Sequence, residues 1–107
     1  MIAEADRRTI ERFKRLLFER GIPARDIVVF GSRARGDAGP DSDLDVLVLV
    51  DELDHSRRET ISDCAWEAGL ETGVFVQTVV MSREEAENSP QRSSLFMIGV
   101  REDGIRV

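Results

Sequence analysis

The sequence contains one cysteine and no long apolar run, and these two features exclude several classes of protein. Cys64 is alone, which excludes an internal disulfide and a cysteine-rich zinc site, and we expect a small buried side chain there. No stretch of about 18 apolar residues occurs, so no membrane span is predicted. Residues 1–8 have no apolar segment following basic residues, which is unlike a signal peptide, and we expect a cytoplasmic protein.

Positive charge is also in the minority. The 15 Lys and Arg residues are outnumbered by 21 Asp and Glu residues, and the net charge is −6. This balance argues against general nucleic-acid binding. A length of 107 residues predicts one domain, residues 1–107, with a single core and without a separate substrate domain.

Apolar periodicity predicts helices that alternate with short strands. The predicted helices cover residues 4–20, 56–70, a short segment after Ser82 that Asn88-Ser89-Pro90 breaks, and 92–103; the predicted strands cover residues 26–30, 44–50, 74–81 and 105–107. In the helix 56–70, the residues expected to face the core are Ile61, Ala65, Trp66 and Leu70, with Trp66 as a core or interface aromatic. A loop between the first two strands favours an antiparallel pair, and the helix before the third strand favours a right-handed parallel crossover. We therefore predict an α/β (α+β) domain with a small mixed sheet.

The strongest chemical signal spans the loop 31–42, between the first two strands. Gly31 and Ser32 directly follow the first strand; glycine lets a phosphate approach the backbone, and one helical turn after Ser32 would present N–H groups. Asp43 and Asp45 alternate at the start of the next strand, so both side chains point to one face while the intervening apolar residues face the core. Adjacent carboxylates repel unless a cation lies between them, and they are good ligands for Mg²⁺. The antiparallel pair brings both halves to one edge, which predicts a site for a magnesium-bound nucleoside triphosphate.

The pattern Gly31-Ser32, ten residues, then Asp43-Leu44-Asp45 resembles the polymerase-β-like nucleotidyltransferase superfamily. Over residues 27–50 the chain is similar to the minimal nucleotidyltransferase branch of that superfamily. The resemblance implies a palm-like fold, a triphosphate held by Gly31 and Ser32, and two Mg²⁺ ions held by Asp43 and Asp45. It also implies transfer of a nucleoside monophosphate, which we expect to be AMP, to an acceptor hydroxyl with release of pyrophosphate.

The chain departs from the family pattern at the third carboxylate, which normally lies on the strand after the intervening helix. The predicted strand 74–81 contains no Asp or Glu. We expect Gln77 at the equivalent place in the catalytic site, where its amide oxygen can accept hydrogen bonds and weakly bind a metal but cannot act as a base. Glu71, just before the strand, is the alternative. We expect the missing carboxylate to lower the rate of transfer more than the affinity for the nucleotide.

Two arginines of the loop have open roles. The resemblance allows Arg33 or Arg35 to bind the triphosphate, and ion pairs with Asp37 or Asp41 explain them equally well. His55 lies in a charged loop, and we expect it to be solvated.

The resemblance also implies a partner. Minimal nucleotidyltransferases are paired with a small helical HEPN-type protein encoded by a neighbouring gene, and act as antitoxins by modifying it, binding it or both. The rival hypothesis is a catalytically weak nucleotide-binding subunit that neutralises its partner by binding alone. The missing third carboxylate favours this rival, and the intact Asp43/Asp45 pair favours the enzyme. The segment Leu95–Val100 is more apolar than a solvated short helix requires, which predicts a surface for a partner or for a second copy of the chain.

Overall fold

The computed structural model describes residues 2–39, 41–88 and 95–107, and gives only the backbone of residues 95–98. In chain order the elements are α1 (Glu4–Glu19), β1 (Ala24–Phe30), α2 (Ser32–Arg35), β2 (Leu44–Val50), α3 (His55–Thr72), β3 (Val76–Ser82), α4 (Arg83–Asn88), α5 (Leu95–Asp103) and β4 (Ile105–Arg106). The predicted order of elements is confirmed, and α2 is the helical turn expected after Ser32. The predicted break at Ser89-Pro90 and the first residues of the predicted helix 92–103 lie outside the described residues.

The four strands form one mixed sheet in the order β3-β2-β1-β4. The strand β1 is antiparallel to both β2 and β4, whereas β2 and β3 run parallel. Both predicted pairings are therefore confirmed. Among the described strands β3 ends the order, so its outer side is an edge of the described sheet. Within the described residues, no helix has the length and apolar character needed to cross a membrane.

Alternation along β2 sends its side chains into two separate clusters, one on each face of the sheet. On one face the even-numbered residues of β2 join α1 and α3 in the main core, which contains Phe13, Leu17, Val29, Leu44, Val46, Val48, Ile61 and Cys64. On the other face Leu47 packs with Met81 and Val100. Cys64 is buried and free, as predicted, and its burial raises the pKa of the thiol.

The expectation that Trp66 and Leu70 face the core is wrong. Their exposed fractions are 57% and 67%, whereas Ile61 and Ala65 are buried as predicted. The buried stripe of α3 consists of Ile61, Cys64, Ala65 and Ala68. Each helical residue turns by about 100° from the one before it, so Trp66 falls beside this stripe rather than on it. The ring of Trp66 instead meets Phe75 edge to face, with centroids 6.0 Å apart.

Candidate active site

The turn after β1 brings a carboxylate directly against the backbone. Gly31 has φ 76° and ψ −159°, a conformation that is essentially restricted to glycine. A Cβ at this position would lie under 3.0 Å from Oδ2 of Asp45 and 3.3 Å from its Cγ. Glycine is therefore required here twice, by the backbone and by the side chain of Asp45 that occupies the adjacent space.

The short helix α2 continues from this turn. The amides of Ala34 and Arg35 donate to the carbonyl oxygen of Gly31, each at 3.1 Å. The first amides of a helix have no intrahelical acceptor, so those of Ser32 and Arg33 are the N–H groups that the turn presents. They lie at the same end of the β1–β2 pair as Asp45, whose Cα pairs with that of Phe30 just before the turn.

Asp43 and Asp45 form the like-charged pair that the alternation predicts. Both are partly buried. Burial raises the pKa of Asp45 most, the charge of Asp43 raises it further, and Arg35 opposes them. Two carboxylates held together in this way suit a divalent cation, because hard oxygen ligands bind Mg²⁺ and the cation relieves the repulsion. No group of three or more His, Cys, Asp or Glu residues suited to a metal occurs among the described residues.

Gln77 lies beside this pair. In the parallel register of β2 and β3, its Cα is the partner of the Asp45 Cα, so both side chains point to the same face of the sheet. Glu71, the alternative, is engaged elsewhere. Its Oε2 accepts from Nε of Arg12 at 2.5 Å and its Oε1 accepts from Nη2 at 3.2 Å, and the hydrogen bond to Arg12 lowers the pKa of Glu71. The structure thus directs Glu71 towards α1.

Arg33 forms structural contacts with a side chain and a backbone carbonyl near the site. Its Nη1 donates to Oδ1 of Asp6 at 2.7 Å, and its Nε donates to the carbonyl oxygen of Ser42 at 2.8 Å. The exposed fractions of the Arg33 and Asp6 side chains are 15% and 2%. The ion-pair partner is therefore Asp6 of α1, not Asp37 or Asp41. Through these bonds Arg33 joins α1 to the residue that precedes Asp43; whether it also contacts a nucleotide stays a prediction.

Asp6 is the residue that the sequence reasoning missed. It precedes Thr9, Ile10 and Phe13 at helical spacing, and all four are buried. An acidic residue in line with a buried apolar stripe requires a cationic partner, so this position carried a readable signal.

The other charged residues near the loop behave as expected. Nε of Arg35 lies 3.3 Å from Oδ2 of Asp37, which is one of the two predicted ion pairs. His55 is exposed, with its Nε2 2.9 Å from Oε1 of Glu59. No metal or nucleotide role for His55 is indicated by these contacts.

A cleft of about 360 Å³ continues from Asp43 across the first residues of β3. Asp43 and Gln77 line it at the site, and Trp66 and Phe75 line it farther out. The cleft connects the candidate active site with the exposed aromatic residues of α3 and the segment before β3.

Residues 8–98 match the model of the nucleotidyltransferase domain family, and the chain belongs to that family. The bifunctional uridylyltransferase/uridylyl-removing enzyme of Burkholderia thailandensis is 42% identical over 86 residues, which cover 75% of this chain and 10% of that enzyme. The chain therefore spans only a small part of the length of this curated relative.

Solved structures show the same fold. A chain of a toxin–antitoxin complex with AMP-PNP superposes with a TM-score of 0.61 at 22% identity, covering 90% of this chain and 69% of that one. A chain of the complex between a tri-AMPylated Shewanella oneidensis HEPN toxin and an MNT antitoxin gives a TM-score of 0.51 at 19% identity, covering 92% and 70%. The expected nucleotidyltransferase fold is thus confirmed.

Proposed function

We propose that this chain is a Mg²⁺-dependent nucleotidyltransferase domain. It moves a nucleoside monophosphate, which we expect to be AMP, from a nucleoside triphosphate to an acceptor hydroxyl on a small helical HEPN-type partner. The observation that carries the proposal is the close approach of the Asp45 carboxylate to the Gly31 turn. It brings metal ligands and phosphate-binding amides to one point, as a metal-bound triphosphate requires.

In this proposal each residue has a separate task. The amides of the Gly31-Ser32 turn and the Ser32 hydroxyl donate hydrogen bonds to phosphate oxygens. Asp43 and Asp45 hold Mg²⁺, which when bound offsets the charge of the phosphates. The acceptor oxygen forms a bond to the α-phosphorus as the bond to the β-phosphate breaks and pyrophosphate leaves. Gln77 can orient the acceptor hydroxyl but cannot take its proton, which therefore passes to water.

The comparisons support the choice of reaction and partner. The curated relative is named for uridylyl transfer, and one structural neighbour was solved with a triphosphate analogue. Another neighbour contains a HEPN toxin that carries AMP groups. Each of these facts concerns the other protein, and together they favour nucleotidyl transfer to a HEPN-type partner over other uses of the same fold.

The second candidate is a subunit that binds a nucleotide and neutralises its partner without modifying it. Gln77 opposite Asp45 favours it, because a general base typically contributes about 10²–10⁴-fold to the rate.

Label transfer separates the two functions. The chain would be incubated with the HEPN-type protein encoded by the adjacent gene, Mg²⁺, and ATP or UTP labelled on either the α- or the γ-phosphate. We expect the partner to gain label from the α-phosphate only, and Asp43→Asn to abolish the transfer. A stable complex without label would favour the second candidate. If the chain bound no Mg²⁺-nucleotide at all, both candidates would be wrong.

A further inference from the structure

Three large apolar side chains, Trp66, Leu70 and Phe75, form an exposed surface that we call the aromatic patch. Their exposed fractions are 57%, 67% and 56%. Trp66 and Leu70 are four residues apart on α3 and so lie on one side of it, while Phe75 meets the Trp66 ring edge to face. Together they border a depression of about 250 Å³. Apolar side chains clustered in this way on a surface commonly mark an interaction site.

The aromatic patch adjoins the candidate active site. The carbonyl oxygen of Phe75 accepts from the amide of Leu44 at 2.9 Å, which fixes Phe75 next to Asp43 at the start of the parallel pair. Trp66 and Phe75 line the same cleft as Asp43 and Gln77. A molecule seated on the aromatic patch therefore adjoins the cleft that Asp43 and Gln77 line.

The direction of the reaction points to the same side. The three parts of the site lie on neighbouring strands. The Gly31 turn follows β1, the Asp43/Asp45 pair lies at the start of β2, and Gln77 lies on β3, on the other side of β2 from β1. In phosphoryl-type transfer the attacking and leaving oxygens lie roughly in line on opposite sides of the phosphorus. If pyrophosphate leaves from the turn beside β1, the acceptor hydroxyl must arrive over β3. Phe75 of the aromatic patch directly precedes this strand, and Trp66 lines the cleft beside its first residues.

Charge around the aromatic patch selects the kind of partner. Asp63 is exposed one helical turn before Trp66, and Glu59 is exposed one turn farther. Arg58 lies two turns before the patch, where its Nη1 donates to the carbonyl oxygen of Val80. With Asp43 in the cleft and a net charge of −6, the surface is complementary to a basic partner.

We propose that the aromatic patch is the docking surface for the protein that carries the acceptor hydroxyl. That protein seats an apolar side chain against Trp66, Leu70 and Phe75, carries basic residues beside it, and so places its hydroxyl over Gln77. The assignment rests on the proposed function for the hydroxyl, but the docking itself does not require turnover.

The test compares Trp66→Ala and Leu70→Ala with Phe18→Ala, a matched control because Phe18 is an aromatic residue of α1 that is 84% exposed. The probe is the adjacent-gene HEPN-type protein. We expect both patch variants to bind it at least about tenfold more weakly, as truncation of a buried interface anchor does. Label transfer at low partner concentration should fall in parallel, while Phe18→Ala matches the wild type. The shift in melting temperature caused by Mg²⁺-nucleotide should be unchanged in all three variants.

Trp66 is the only tryptophan of the chain, which provides a direct reporter. With 5-fluorotryptophan incorporated at this position, we expect the fluorine resonance to move on addition of the partner. Patch variants that bind and modify the partner as the wild type does would overturn the inference. So would a wild-type chain that binds Mg²⁺-nucleotide but neither binds nor labels the partner. Loss of wild-type self-association in Trp66→Ala, with partner binding intact, would assign the patch to a second copy and also overturn it. Failure of the wild type to bind Mg²⁺-nucleotide, with docking through the patch intact, would instead refute only the proposed function.

Discussion

Replacement of Gly31 by alanine should damage the site in a way that can be separated from its effect on the fold. The backbone conformation of Gly31, with φ 76° and ψ −159°, costs a non-glycine residue about 1–3 kcal/mol. In addition, the new Cβ would lie under 3.0 Å from Oδ2 of Asp45. The Asp45 side chain can relieve this overlap by rotation about its Cα–Cβ or Cβ–Cγ bond, and either rotation moves Oδ2 away from the turn.

We therefore expect two effects of Gly31→Ala. The first is a loss of about 1–3 kcal/mol of stability, which for a domain of this size lowers the melting temperature by roughly 5–20 °C. The second is loss of most of the stabilisation that Mg²⁺-nucleotide gives to the wild type. Thermal unfolding with and without Mg²⁺-nucleotide measures both effects in one experiment.

Gly36→Ala is the matched control. Gly36 has φ 87°, in the left-handed region, but nothing lies within 4 Å of a Cβ built there. This variant should lose about 1–2 kcal/mol through its backbone alone and keep the full ligand-induced shift. If Gly31→Ala also kept that shift, the reasoning that links Gly31 to the position of Asp45 would be wrong.

Substitutions at Asp45, Gln77 and Asp6 test other contacts in and around the site. Because the pKa of Asp45 is raised from 3.8, the contribution of Asp45 to stability without metal should fall as pH rises from about that value through the folded-state pKa. Asp45→Asn should therefore gain stability relative to the wild type over this range, be at least as stable at pH 7, and gain no Mg²⁺-nucleotide shift. Gln77→Asp should raise the transfer rate by up to about 10²–10⁴-fold with little change in nucleotide affinity, whereas Glu71→Gln should leave the rate unchanged; the opposite pair of results in a label-transfer assay would make Glu71 the third carboxylate. Asp6→Ala leaves Arg33 buried without its partner, so urea denaturation should show a loss of about 3 kcal/mol, and a loss below about 1 kcal/mol would mean that the pair does not support the loop.

The candidate site residues could be predicted from sequence better than the residues that hold them in place, because the site residues follow from local patterns. Alternation alone places Asp43 and Asp45 on one face of β2, and the helical crossover predicts a parallel pair in which the first half of β3, with Gln77, lies near them. By contrast, Arg33 and Asp6 are 27 residues apart in sequence, and their pairing depends on how α1 docks beside the loop. Spacing in the sequence suggested the nearer Asp37 and Asp41 as partners of Arg33. The local signal of the observed partner was the position of Asp6 in line with the apolar stripe of α1.

The helix α3 shows a second feature that helical periodicity does not predict, namely which side of a helix is buried. Its apolar residues form two stripes, one with Ala65 and one with Trp66 and Leu70. Helical spacing identifies both but does not tell which one packs on the sheet. Three of the four buried residues, Cys64, Ala65 and Ala68, are small, which lets the helix approach closely, whereas Trp66 and Leu70 stay at the surface. The apolar segment expected to bind a partner, Leu95–Val100, has most of its side chains outside the described residues.

A crystal structure with Mg²⁺ and a non-hydrolysable ATP analogue would show whether one site holds both the metal and the triphosphate. We expect Mg²⁺ bound by Asp43 and Asp45, with phosphate oxygens on the amides of the Gly31-Ser32 turn and the α-phosphate facing Gln77. A nucleotide bound elsewhere on the chain, or phosphates held at this turn with no metal on the two carboxylates, would contradict this expectation.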